Sequence, residues 1–180
     1  MRVITGLARG RKLTTLKGDD VRPTTDLVKE AVFSIIQFEL DSARVLDLFA
    51  GSGQMGIEAL SRGARECVFV DNSAKSIAVV KQNLQHTGLI SNAKIITADY
   101  LSYLEMNIGT FDIVFLDPPY SKNMLQKALP KLPGKMNKGG VIICESPKDE
   151  ILPENIENFH IYKRYRYGKI CITVYRESQD

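Results

Sequence analysis

Four consecutive residues, Asp117-Pro118-Pro119-Tyr120, follow the apolar run 111–116, and so stand where a buried strand would leave its sheet. Two prolines at that point can extend neither a helix nor a ladder, which fixes the chain as a rigid, extended turn with exposed carbonyls. An acid, a fixed carbonyl and an aromatic face then converge. That set suits a planar amino group, a poor nucleophile because its lone pair is conjugated. Such a group needs acceptors for its N–H bonds and a surface against its ring. Asp117 and the Pro118 carbonyl can accept the two protons, and Tyr120 can stack on the ring. Asp and Pro are also common turn formers, so the motif taken alone leaves a plain turn open.

A second motif lies upstream. Residues 44–56 read as a short strand, a glycine-rich turn entered through Phe49, and a helix start. Gly51, Ser52 and Gly53 carry little side-chain bulk, so backbone N–H groups can approach a ligand closely. A second strand, 66–71, ends in Asp71, which with Asn72 after it can hold the hydroxyls of a ribose. Gly51, Gly53 and Gly56 satisfy G-x-G-x-x-G, and Asp71 lies at the spacing of a dinucleotide enzyme, so NAD fits this stretch. An oxidoreductase gives no reason for Asp-Pro-Pro-Tyr, however, and the chain is short for a separate substrate domain. A methyl donor uses both motifs. Asp47, at the end of the first strand, suits the ammonium of a methionine and repels a pyrophosphate, which favours S-adenosylmethionine. Asp99 ends a further strand at the same edge. At least three of Asp47, Asp71, Asp99 and Asp117 are expected to touch ligand, the alternative for each being a helix N-cap.

The elements that must position these residues alternate strand and helix. Apolar periodicity predicts a helix over 26–40, strand 44–49, helix 54–62, strand 66–71, helix 74–87, strands 93–98 and 111–117, helix 122–129 and strand 140–145. Strands 159–166 and 169–176 follow, joined at Tyr167-Gly168. The expected fold is α/β, a Rossmann-like doubly wound, mostly parallel seven-stranded sheet with an antiparallel C-terminal hairpin. Residues 1–20 form a basic N-terminal hairpin arm, with turns at Gly6 and Ala8-Arg9-Gly10, and 21–180 a single domain.

The chain has 180 residues and a net charge of +3. That length suits one self-sufficient core. The charge is segregated: residues 1–18 and 158–176 carry ten of the 24 basic residues and no acid, leaving 14 bases against all 21 acids. Basic ends suit a polyanion, with Arg2, Arg9, Arg11 and Lys12 at one end, Arg164 and Arg166 at the other, and Arg22 leading into the first helix. Cys67, Cys144 and Cys171 each fall in a predicted strand without C-x-x-C spacing, and His86 and His160 are the only histidines, so buried thiols and no metal are expected. No apolar run reaches the ~20 residues of a membrane span, and the N-terminus has no apolar signal core; the expected location is the cytoplasm.

The 47–64 segment, Asp-Leu-Phe-Ala-Gly-Ser-Gly-Gln-Met-Gly-Ile-Glu-Ala-Leu-Ser-Arg-Gly-Ala, together with Asp117-Pro118-Pro119-Tyr120, resembles the RsmD-type 16S ribosomal RNA guanine-N2 methyltransferases. The likeness extends to Arg2-Val3-Ile4-Thr5-Gly6, Gly10-Arg11-Lys12-Leu13, Arg22-Pro23-Thr24-Thr25-Asp26 and the Tyr167-Gly168 turn, and so covers essentially the whole chain. It implies a class I methyltransferase fold, S-adenosylmethionine as donor, and one guanine of 16S rRNA as acceptor, presented in an assembled or late small-subunit particle to a monomeric enzyme. Within it, Asp47 pairs with the cofactor ammonium, Asp71 holds the ribose, Asp99 reads the adenine amino group, and Asp117, Pro118 and Tyr120 orient the flipped base. Gln54 and Met55 stand where the family has smaller residues. Lys29 and Ser34 stand in place of an Arg and an Asn, positions tied to target recognition. A DNA adenine-N6 or cytosine-N4 enzyme shares the amine logic but needs more chain to recognise its site. A protein-glutamine methyltransferase carries Asn where this chain has Asp117. A non-catalytic RNA-binding assembly factor would have no use for the four acids.

Overall fold

Runs such as Cys67-Val68-Phe69-Val70 and Ile113-Val114-Phe115-Leu116 are buried on both faces, as strands covered by helices on either side must be. In a computed structural model, which describes residues 1–16, 25–107, 109–119 and 123–178, they belong to one sheet. Its strands are β1 (Arg44–Asp47), β2 (Glu66–Asp71), β3 (Ala93–Thr97), β4 (Phe111–Leu116), β5 (Met136–Pro147), β6 (Asn155–Ile156), β7 (Phe159–Tyr167) and β8 (Ile170–Glu177). The spatial order is β3-β2-β1-β4-β5-β8-β7-β6. β1 to β5 pair in parallel, while β8 runs antiparallel between β5 and β7. Seven strands thus match the expected sheet, and the two-residue β6 adds an eighth at the edge.

The chain grows outward through β2 and β3, then returns to place β4 on the other side of β1. This switch point opens a crevice outside the carboxyl ends of β1 and β4. Asp47 ends the first of these strands and Asp117 follows the second.

Helices α1 (Asp26–Ile35), α2 (Gln54–Ser61) and α3 (Ala74–Thr87) cover one face through Val32, Phe33, Ile57, Val80 and Leu84. Helices α4 (Tyr100–Glu105) and α5 (Met124–Ala128) cover the other through Tyr103, Leu104 and Leu125. No helix among the described residues is long and apolar enough to cross a membrane. The first helix ends five residues before the predicted Leu40. Ile36 and Leu40 stay buried, but the chain passes them in turns closed by Glu39 N–H to Ile36 O and Ala43 N–H to Leu40 O, so the apolar pattern outlasts the helix. Helix α4 was not anticipated. The C-terminal hairpin turns at Gly168-Lys169, one residue later than predicted, because Tyr167 still pairs with Ile170; Gly168 supplies φ +60° where the turn needs a left-handed residue.

The described N-terminal residues double back in a hairpin, with an Arg2–Lys12 bridge and a Val3 N–H to Arg11 O hydrogen bond; residues 17–20 of the predicted arm lie outside the described residues. It lies on the domain: Val3, Ala8 and Leu13 are buried in the same core as α1 to α3. Glu58 of α2 fastens it, accepting Ile4 N–H at 2.8 Å and Thr5 N–H at 3.0 Å. The three cysteines are free and buried.

Candidate active site

The glycine turn brings α2 against the end of β1. Gly51 and Gly53 take φ of +56° and +81°, conformations that other residues rarely adopt. A Cβ on Gly56 would fall 2.3 Å from the Phe69 ring, so only glycine lets the helix lie this close to β2. That approach delivers the Gly56 N–H to Asp47 Oδ2 at 3.0 Å. Asp47 is 2% exposed. Burial pushes its carboxyl up to about 7; the Gly56 N–H opposes this and the Asp71 charge adds to it.

Asp71 ends β2 and ties two segments together. Its Oδ2 accepts Gly51 N–H at 2.9 Å, and its Oδ1 accepts Ser73 N–H at 2.8 Å at the start of α3. A cavity of about 770 Å³ opens here, within the size range of small-molecule sites. Six of the residues predicted to bind cofactor line it: Asp47, Phe49, Gly51, Asp71, Asn72 and Asp117. Pro118 and Pro119 lie on the same wall, and Gly53 supports the turn from behind, packed near Val80 and Phe69. Asp99 is placed otherwise. It is exposed, and its Oδ1 caps α4 by accepting Leu101 and Ser102 N–H, while its neighbours Ala98 and Tyr100 form the wall. Tyr120 and Arg22 fall outside the described residues.

Several wall residues had no signal in the sequence. Met1, Thr15 and Leu16 reach the cavity from the N-terminal segment. Asn83 of α3 holds that segment, accepting Thr14 N–H at 2.8 Å while its amide donates to the carbonyls of Thr14 and Ser52. Glu145, 8% exposed, shares a small space with Asp117 beneath Val32 and Met55. An acid at the end of the apolar run Val141-Ile142-Ile143-Cys144 repeats the pattern that singled out Asp117, and could have been noticed on that ground.

No cluster of metal-ligating side chains occurs among the described residues. The donor set fits a nucleoside bearing a cation: a carboxylate at the end of β2, a buried acid beside the glycine turn, and an acid with two prolines lining the same space. The sequence profile described as conserved hypothetical protein 95 matches residues 1–176. A Haemophilus influenzae protein called ribosomal RNA small subunit methyltransferase D is 38% identical over 162 residues, covering 86% of this chain and 84% of that protein. The chain belongs to this family, the RsmD family.

The solved structure of yhhF from Escherichia coli superposes with a TM-score of 0.89 at 30% identity, covering 100% of this chain and 99% of that one. An RNA methyltransferase from Salinibacter ruber, solved with S-adenosyl-L-homocysteine, shares the fold at a TM-score of 0.69 and 15% identity, covering 88% and 95%. In this RsmD-family chain Arg2, Arg9, Arg11 and Lys12 are exposed, with Arg11 donating to His86 O and Arg2 pairing with Asp26. Arg164 and Arg166 emerge far along the sheet on its other face, the face of Leu116 and Cys144, and Arg164 pairs with Glu154 at 2.6 Å. The two basic ends therefore do not merge into one patch. Lys29 is a correction to the sequence reading. It is fully buried, donates to Arg2 O at 2.6 Å and lies 3.8 Å from Glu58, so it braces the hairpin and does not face a target; Ser34 is exposed and donates to Glu30 O.

Proposed function

We propose that this protein methylates the exocyclic N2 of one guanine in 16S rRNA, acting as a monomer in the cytoplasm on an assembled or late small-subunit particle. The observation that carries the reading is that the Asp117-Pro118-Pro119 edge opens on the same cavity as Asp47 and Asp71. Membership in a family whose named relative is a ribosomal RNA small subunit methyltransferase supports RNA as acceptor. The cofactor is S-adenosylmethionine, which when bound supplies an electrophilic methyl group on its sulfonium sulfur.

The chain's own residues bind and orient. Asp71 and Asn72 hold the ribose, Asp47 meets the ammonium of the methionyl group, and Asp99 reaches the adenine amino group with the oxygen that does not cap α4. Asp117 and the Pro118 carbonyl accept the two N–H bonds of the target amine and turn its lone pair toward the methyl group. Tyr120 stacks on the flipped base, a role resting on sequence alone. Alignment of this kind can recover roughly 7–11 kcal/mol of barrier, so no strong base is needed before transfer. The spare proton leaves afterwards through Asp117. Arg2, Arg9, Arg11, Lys12 and Arg22 hold rRNA phosphates on one side of the cavity, and Arg164 and Arg166 on the other.

The test is transfer of labelled methyl to small subunits from cells lacking this gene, naked small-subunit rRNA and duplex DNA, followed by nucleoside digestion. N2-methylguanosine from the subunits is the expected product; label only in DNA would replace the reading with a DNA amine methyltransferase. Asp117→Ala should abolish turnover and leave cofactor affinity within a few fold. A variant that keeps most of its activity would remove Asp117 from the chemistry.

A further inference from the structure

Gln54 is the first residue of α2 and directly follows the glycine turn. The residue is 7% exposed and stands in the cavity wall with Asp47 and Met55. Its Oε1 is buried and receives no hydrogen bond from any described residue. Among the described residues two other buried side-chain oxygens share that condition, on Glu39 and Gln126, and neither residue lines the cavity. A buried acceptor without a donor is costly, and it persists where a ligand brings the donor.

Position selects the donor. Asp47 holds the Gly56 N–H, so its carboxylate and the Gln54 amide both stand at the first turn of α2. Asp71, at the ribose position, ends the neighbouring strand, and Asp117 waits for the acceptor. What must lie beside Asp47 is the amino-acid end of the donor, and its only N–H bonds are those of an ammonium. The terminal torsion of a glutamine is broad, so the amide can turn to meet it without leaving a rotamer well.

We propose that Gln54 is a cofactor-binding residue: its Oε1 accepts an N–H of the α-ammonium of S-adenosylmethionine beside Asp47 and fixes the methionyl end of the donor. This rests on the cofactor reading above. The two acceptors divide the work by pH. Asp47, pushed up to about 7 by burial, is largely uncharged below neutrality, whereas an amide oxygen needs no ionisation to hold the ammonium.

The test compares two ligands by calorimetry on the full chain. S-adenosylhomocysteine carries the ammonium; methylthioadenosine has the same adenosine and no amino-acid end. Gln54→Met keeps the volume and removes the acceptor. It should weaken S-adenosylhomocysteine about tenfold, the weight of one charge-assisted hydrogen bond, and leave methylthioadenosine within twofold. The loss should widen from pH 8 to pH 6, because the variant depends on ionised Asp47 alone. Without ligand the variant should melt no lower than the parent, which separates lost binding from lost folding, and Gln54→Glu should recover S-adenosylhomocysteine affinity. Equal losses for both ligands, or none, would overturn the assignment, as would an effect confined to the KM for RNA, which would turn Gln54 toward the base. If the unaltered protein binds neither ligand, the cofactor reading itself fails, and the two failures are told apart.

Discussion

Two buried acids, Asp47 at the end of β1 and Glu58 within α2, are treated in opposite ways. Glu58, fully buried, takes hydrogen bonds from Ile4 N–H, Thr5 N–H and Arg62 Nε, with the Lys29 ammonium 3.8 Å away. Asp47, almost as buried, receives one side-chain hydrogen bond among the described residues, from Gly56 N–H. The first acid is saturated by donors from the N-terminal hairpin, α1 and its own helix. The second is left short of donors at a cavity wall. A saturated buried carboxylate is framework, while an undersupplied one is poised for a cationic ligand.

The largest effect should follow from breaking the saturated site. Glu58→Ala would leave the Lys29 ammonium without its counter-charge, and would free two hairpin N–H groups and the Arg62 guanidinium that lies over Phe33. Removing one partner of a buried pair costs roughly 3–5 kcal/mol, and urea unfolding at pH 7 should show a loss of that size. Replacing both partners, Glu58→Leu with Lys29→Met, should recover only the part owed to the unpaired ammonium, whose pKa burial already lowers against the pull of Glu58, because the Ile4 and Thr5 N–H groups still lack their acceptor. If the single variant were as stable as the parent, the clamp would be ornamental and the contrast with Asp47 would collapse.

The second effect concerns Asp47 and has a definite sign. Its carboxyl is raised from 3.8 to about 7, so between those values the native state binds more protons than the unfolded chain. Stability from this group is therefore greatest in acid, falls as pH rises through the window, and levels off above about 7. The full climb corresponds to roughly 4 kcal/mol. Asp47→Asn keeps an acceptor for Gly56 and does not ionise, so the ligand-free variant should gain on the parent steadily from pH 5 to pH 7.5. Cofactor affinity should behave in the reverse sense, rising with pH in the parent as the ammonium meets an ionised acid and staying flat in the variant. Parallel pH curves for the two proteins would show that Asp47 is framework like Glu58.

The sequence disclosed the undersupplied site far better than the saturated one. Strand-end acids, a glycine turn and a double proline are local patterns, and they single out Asp47, Asp71 and Asp117, which line one cavity. Asp99 obeys the same pattern and caps α4 with one oxygen, because an acid after a strand serves a following helix as readily as a ligand. Glu58 reads as an ordinary polar position of its helix, and Lys29 is tied to target recognition through the resemblance alone. Apart from Arg62 one helical turn on, their partners lie more than 25 residues away in the chain, and no local period reports such a meeting. Thr15 and Leu16 entered the cavity wall for the same reason: the Asn83 bond that places them spans 69 residues.

The smallest effect tests what the clamp is for. If Glu58 only steadies the fold, the hairpin it holds is inert, and its exposed Arg9, Arg11 and Lys12 are solvated charge. If the clamp presents a phosphate-binding surface, replacing all three with Ala should lower the slope of log affinity against log salt by roughly one per residue lost. Stability should hardly change, since all three side chains are exposed. Arg164 and Arg166 supply the internal contrast. They lie on the other face of the sheet, Arg164 already bound to Glu154, so their replacement should reduce the slope less. A slope that responds to the strand pair and ignores the hairpin would move the RNA to the far face, and would leave the saturated acid with no role beyond holding the chain together.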